Sequence, residues 1–156
     1  MTAALLFMLM SALAIPAPQA PVAPDRNLDF LTEKERADLR RQSNVDGRIR
    51  VYLSASERYQ STVPKLVTGQ EFDTLSGTMA KWEALLVSSL ADIESGVAPG
   101  KKPKNLRRFE IHLRKAIGEV QSLRKSGSVE AFDALEGWCS RAETIRGTIV
   151  KIMFAK

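Results

Sequence analysis

The chain reads as all-α: an up-down-up-down four-helix bundle with an extra short N-terminal helix. Three observations predict it. Apolar residues recur at three- and four-residue steps in four long segments, the spacing of one buried helix face. Gly69, Gly96, Pro99-Gly100 and Gly127 fall at the junctions between those segments. No stretch shows the strict apolar–polar alternation of a half-buried strand.

The first element is short. Thr32 followed by Glu35 is a capping-box signature, with Leu31 just before it. It predicts a helix over about 33–43. Asp46-Gly47 opens the second helix. Its stripe is Ile49, Tyr52, Ser56, Tyr59, Val63 and Leu66. Pro64 removes an N–H and crowds the carbonyl four residues back, so a kink or break is expected there. Gly69 is expected to end this helix at the position where φ is positive.

The third helix is expected over about 70–95, with the stripe Phe72, Leu75, Met79, Trp82, Leu86, Ser89 or Leu90, and Ile93. Residues 96–104 (GVAPGKKPK) form the one long internal loop. Asn105 is expected to cap the fourth helix, whose stripe is Leu106, Phe109, Leu113, Ala116 or Ile117, Val120 and Leu123. Gly127 ends it and Ser128 caps the fifth. The fifth stripe is Val129, Phe132, Leu135, Cys139, Ala142, Ile145, Ile149 and Ile152. Helices of 22–27 residues would be about 33–40 Å long. Matched lengths and short connections favour antiparallel neighbours. The short first helix is expected to lie across one end. Gly77, Gly118, Gly137 and Gly147 fall inside helices and mark either close helix approach or tolerated positions.

Residues 1–24 differ from everything after them. Thr2 to Ile15 is almost purely apolar, Pro16 to Pro24 is rich in Pro and Ala, and no charged side chain precedes Asp25. An apolar core too short to span a bilayer, followed by small residues, is the layout of a secretory signal. Ala12-Leu13-Ala14 fits a cleavage pattern. The positive residues usual before such a core are missing, so either the signal is atypical or translation starts upstream of Met1. The domain organisation expected is a signal peptide and Pro/Ala-rich linker over 1–24, and one helical-bundle domain over 25–156. The protein is expected to be exported, periplasmic or secreted, and to touch a membrane only through the leader before cleavage.

Few chemistries are offered. One cysteine excludes an intramolecular disulfide and any multi-Cys zinc site. Cys139 falls on an apolar stripe and reads as a small core hydrophobe. His112 is the single histidine, and Glu110-Ile111-His112 puts the two polar side chains on different helix faces. No metal site is expected, and no cofactor. His112 reads as a boundary residue. Acidic pairs such as Asp92/Glu94 and Glu33/Glu35 read as solvated faces. No nucleophile–base motif or phosphate-binding glycine loop occurs. Tyr52, Tyr59, Trp82 and Trp138 sit at core spacing. No catalytic residue is therefore expected, and the chain reads as a non-enzyme.

Charge is the remaining signal. The net +5 divides as +2 over residues 25–65, −4 over 66–99, +7 over 100–125 and zero over 126–156. Lys101, Lys102, Lys104, Arg107 and Arg108 fall within eight residues, and Arg114 and Lys115 continue the run. Cations at a helix start oppose its dipole, so a cluster there points to an anionic partner. The candidates are an unknown protein or an anionic envelope component. Export argues against nucleic acid. The expected role is binding or structural, in the cell envelope.

Leu31-Thr32-Glu33-Lys34-Glu35 resembles the L-T-x-x-Q signature of the small periplasmic helical chaperones of the envelope-stress type, with Glu35 in place of the final Gln. The resemblance covers five residues. It implies a cradle-shaped all-α dimer that shields unfolded clients, and an alternative role as a holdase-like chaperone.

Overall fold

A computed structural model describes residues 27–98 and 100–155. The expected leader and linker, 1–24, lie outside the described residues. Among these residues the chain is all-helical, without strands. Five helices follow one another: α1 (Glu33–Arg41), α2 (Val45–Thr68), α3 (Phe72–Gly96), α4 (Lys104–Ser126) and α5 (Val129–Phe154). None is long and apolar enough to cross a membrane.

Local chemistry sets the boundaries. Thr32 and Glu35 form the full capping box at the start of α1, with Glu35 N–H donating to Thr32 Oγ1 and Thr32 N–H to Glu35 Oε2. Asn44 caps α2 through Gly47 N–H at 2.8 Å. Pro64 does not break α2, which stays helical to Thr68. In the turn before Pro64, the hydroxyls of Ser61 and Thr62 both donate to the Arg58 carbonyl. At the end of α2 the positive φ falls on Gln70 (56°), while Gly69 stays right-handed. Glycine is thus not the residue in the left-handed position. Gly127 ends α4, and Ser128 precedes α5 without a side-chain cap bond.

The extensive helix contacts are α2 with α3, α4 with α5, α3 with α5 and α2 with α4; α1 adds a smaller one with α2. Side-chain pairs link the helices along their lengths. Asp46–Asn105, Ser56–His112 and Gln60–Glu119 advance together along α2 and α4. Tyr52–Asp92 and Trp82–Ser56 run oppositely along α2 and α3. Glu110–Arg146 and Gln121–Glu143 run oppositely along α4 and α5. Gly96 lies hard against α2, where an added Cβ would meet Val45 Cβ at 2.8 Å. Gly77, Gly118, Gly137 and Gly147 face open space. Close approach therefore occurs at a helix end and not at these four glycines.

One apolar core joins all five helices. The predicted stripes of α2, α3 and α4 are largely buried, and Leu85 joins them. The α5 stripe is misphased at its start. Val129 is 87% exposed and Phe132 45% exposed, while Ala131 and Trp138 turn inward. Trp138 takes that position because it packs on Trp82, ring centroids 4.0 Å apart, and Trp82 stacks on Tyr59 at 6.0 Å. A large indole packed among aromatic rings outweighs two residues in the first turn of the helix. α1 has its main contact with α2. Glu35 there accepts both Arg58 Nε (2.9 Å) and Arg58 Nη2 (2.8 Å), and the Phe30 carbonyl accepts the Tyr59 hydroxyl at 2.7 Å.

Candidate functional site

Lys101 and Lys102 sit in the loop between α3 and α4, where Lys101 N–H donates to the Ala98 carbonyl and Gly100 takes φ 74°. Lys104 is the first residue of α4. The outward side of that helix carries Lys104, Arg107, Arg108, Ile111, Arg114, Lys115, Gly118, Ser122 and Lys125, all exposed. Their three- and four-residue spacing makes one continuous strip. All seven sequence-predicted cations, Lys101, Lys102, Lys104, Arg107, Arg108, Arg114 and Lys115, are thus exposed, and the helical ones share a face.

Asn105 does not cap α4. Pro103 holds the cap position, without a side-chain bond, and no acid lies in the first turn. Asp46 of α2 accepts Asn105 N–H at 2.7 Å and Asn105 Nδ2 at 2.8 Å. A carboxylate from a neighbouring helix therefore supplies the negative charge that the dipole favours. The cationic start of α4 is tolerated for this reason.

The acidic third helix does not neutralise the strip. Asp92 of α3 binds Arg48 Nε at 2.8 Å and the Tyr52 hydroxyl at 2.6 Å, both on α2. Glu83 pairs with Arg141 of α5. The expectation that Asp92 and Glu35 lie on solvated faces is therefore corrected: Asp92 is buried, and the Glu35 side chain is 16% exposed against Arg58. Arg58 holds the Glu35 carboxyl below its usual range against the burial that would raise it. Among the described residues, Lys101, Lys102, Lys104, Arg107, Arg108 and Arg114 pair with no carboxylate. Lys115 reaches Glu119 at 3.8 Å on an exposed surface, a pair of little strength. Lys102 Nζ lies 5.8 Å from the ring centroid of Phe154, which is 72% exposed at the end of α5.

Inside α4 the chemistry is different. His112 is 8% exposed, so it is a core residue and not a boundary one. Its Nε2 lies 2.8 Å from Ser56 Oγ, which also accepts Trp82 Nε1–H at 2.7 Å. Burial pushes the imidazole down to about 4. The neutral ring thus accepts a hydrogen bond from the Ser56 hydroxyl at Nε2, the tautomer that fits this network. Ser56 is fully buried. Sequence reasoning missed the pair because Ser56 and His112 are remote in the chain. Its one signal was a serine inside an otherwise apolar stripe. Burial also pushes the Cys139 thiol up to about 11, which suits a packing role and not a nucleophile. Among the described residues no group of three or more His, Cys, Asp or Glu side chains could hold a metal ion.

A shallow groove of about 450 Å³ beside the far half of the strip is lined by Pro64, Lys115, Gly118, Glu119, Ser122 and Leu123. A smaller one near Asp29, Arg58, Tyr59 and Lys81 lies where the N-terminal segment meets α2 and α3. In the first, the Ser122 hydroxyl donates to the Gly118 carbonyl at 2.9 Å. No family model matches this chain, and no curated protein or solved structure matches it.

Proposed function

We propose that the protein is an exported, non-enzymatic binding module of the cell envelope whose α4 face and preceding loop contact an anionic component. One observation carries the reading: six of the seven predicted cations lack a carboxylate partner among the described residues, while the cations of α2 at Arg48 and Arg58 are paired internally. Unpaired like charges on one strip repel each other, and an external anion relieves that repulsion. The finer architecture we propose is the up-down-up-down bundle with an extra short N-terminal helix, in one domain over 25–156. The paired residues that step oppositely along α2/α3 and α4/α5 support it, as does the separate docking of α1 on α2. The signal-like composition of 1–24 supports export.

The holdase reading is second. The Leu31–Glu35 signature that prompts it serves here as a helix cap and a partner for Arg58. Large exposed apolar side chains among the described residues are Val87, Ile111, Val129, Phe132 and Phe154, spread over three helices. A client-shielding surface needs a contiguous patch.

The test compares the wild-type full chain with K101Q/K102Q/K104Q/R107Q/R108Q for retention on wall fragments and inorganic polyphosphate. Loss of retention in the variant is expected, and more salt should weaken the wild type. Equal retention of both proteins overturns the basic-face reading.

A further inference from the structure

We propose that the α4 face docks flat on an anionic lipid bilayer, with Ile111 inserted between headgroups. The inference rests on the basic-face reading above and names its partner. It also extends membrane contact beyond the leader, to which the sequence confined it.

The arrangement around Ile111 is specific. Ile111 is 43% exposed on the outer side of α4. Its four surface neighbours on the helix, three and four residues away on either side, are Arg107, Arg108, Arg114 and Lys115. An apolar side chain is thus ringed by cations, of which only Lys115 has a carboxylate partner among the described residues. In water this placement exposes the aliphatic group and crowds like charges. At a bilayer surface both costs reverse, because phosphate groups meet the cations while the apolar group reaches the acyl boundary.

Shape selects a bilayer over other anions. The strip is the convex outside of a helix, about 32 Å from Lys104 to Lys125. A convex strip meets a plane along its length, whereas a single strand of nucleic acid is held in a groove with aromatic platforms. The aromatic of α4, Phe109, is fully buried. A second apolar group lies at the start of the strip. Phe154 is exposed beside Lys102, an aromatic and a cation placed as at a membrane interface.

The experiment uses I111W in the full chain, with phosphatidylcholine vesicles with or without phosphatidylglycerol. Trp82 and Trp138 are buried, and the leader contains no Trp, so only the new indole reports on docking. A blue shift and quenching by brominated lipid are expected with phosphatidylglycerol only. High salt should reverse both. Adding R107Q/R108Q/R114Q/K115Q should weaken the response by roughly a hundredfold or more in lipid concentration. Circular dichroism checks that each variant is folded, and the salt reversal stands even if the multiple variant is not. An unshifted indole overturns the proposal, as does an equal shift with pure phosphatidylcholine or with polyphosphate. Polyphosphate retention that needs the basic residues, without any bilayer response, leaves the basic-face reading standing. Binding to neither probe removes both.

Discussion

α2 and α4 are in extensive contact, yet the arginines beside the buried face of α2 and those on the outer face of α4 meet opposite surroundings. On α2, Arg48 and Arg58 reach carboxylates of other elements, Asp92 and Glu35, and those carboxylates are largely withdrawn from water. On α4, Arg107, Arg108 and Arg114 point outward without such partners. Both helices are basic in sequence. The difference is position on the helix: Arg48 and Arg58 flank the buried stripe, at the edges where a neighbouring helix can present an acid. Of the α4 cations, Arg107, Arg108 and Arg114 occupy the outer face without an acid among the described residues, whereas Arg124, on the side toward α5, pairs with Glu136. Charge beside a seam holds helices together, and charge opposite the seam is left for something outside the molecule.

The comparison breaks most visibly at Asp92. D92A leaves Arg48 and the Tyr52 hydroxyl without their acceptor and should destabilise the fold by about 3 kcal/mol, read from urea unfolding. A loss under about 0.5 kcal/mol would mean that the α2 pair is no more structural than the α4 surface.

Acidity tests the inward side of α4. The folded-state value of His112 lies near 4, below the ordinary 6.5 of an unfolded chain. The unfolded state therefore binds more protons in that window. The stability contributed by neutral His112 is present above about pH 6.5 and is lost as pH falls toward 4, by about 3 kcal/mol. H112Q should flatten this part of the profile relative to wild type. Parallel profiles for both proteins would place the acid sensitivity elsewhere.

The smallest effect belongs to the outer strip. R107Q/R108Q/R114Q/K115Q should change unfolding free energy by no more than about 0.5 kcal/mol in either direction. A large loss would show that these side chains have structural partners and would erase the contrast with α2.

Much of the fold was legible from spacing. Ile49, Tyr52, Tyr59 and Val63, or Leu106, Phe109 and Leu113, repeat at helical period, and that period places them on one buried face whatever the neighbours are. The outward basic strip follows from the same arithmetic, since Lys104, Arg107, Arg108 and Arg114 fall opposite that stripe. The legible features were local. Misreadings arose where remote residues decide. Asp92 looked solvated until α2 brought Arg48 and Tyr52 to it. His112 looked like a boundary residue until Ser56 and Trp82 closed around it. Val129 and Phe132 fitted the α5 period, but Trp138 set the phase by packing on Trp82.

The sequence by itself therefore determined helix content, the capping box at Thr32 and Glu35, and the side of α4 on which its cations lie. These depend on residues within a few turns of one another. Tertiary structure alone decided which charges are neutralised, because an ion pair between Arg48 and Asp92 spans 44 residues and needs two helices in register. It also decided that Asp46 supports the start of α4, across 59 residues, and that among the described residues no acid of a neighbouring helix pairs with Arg107, Arg108 or Arg114. Helical period is a property of the chain, whereas charge neutralisation is a property of neighbours.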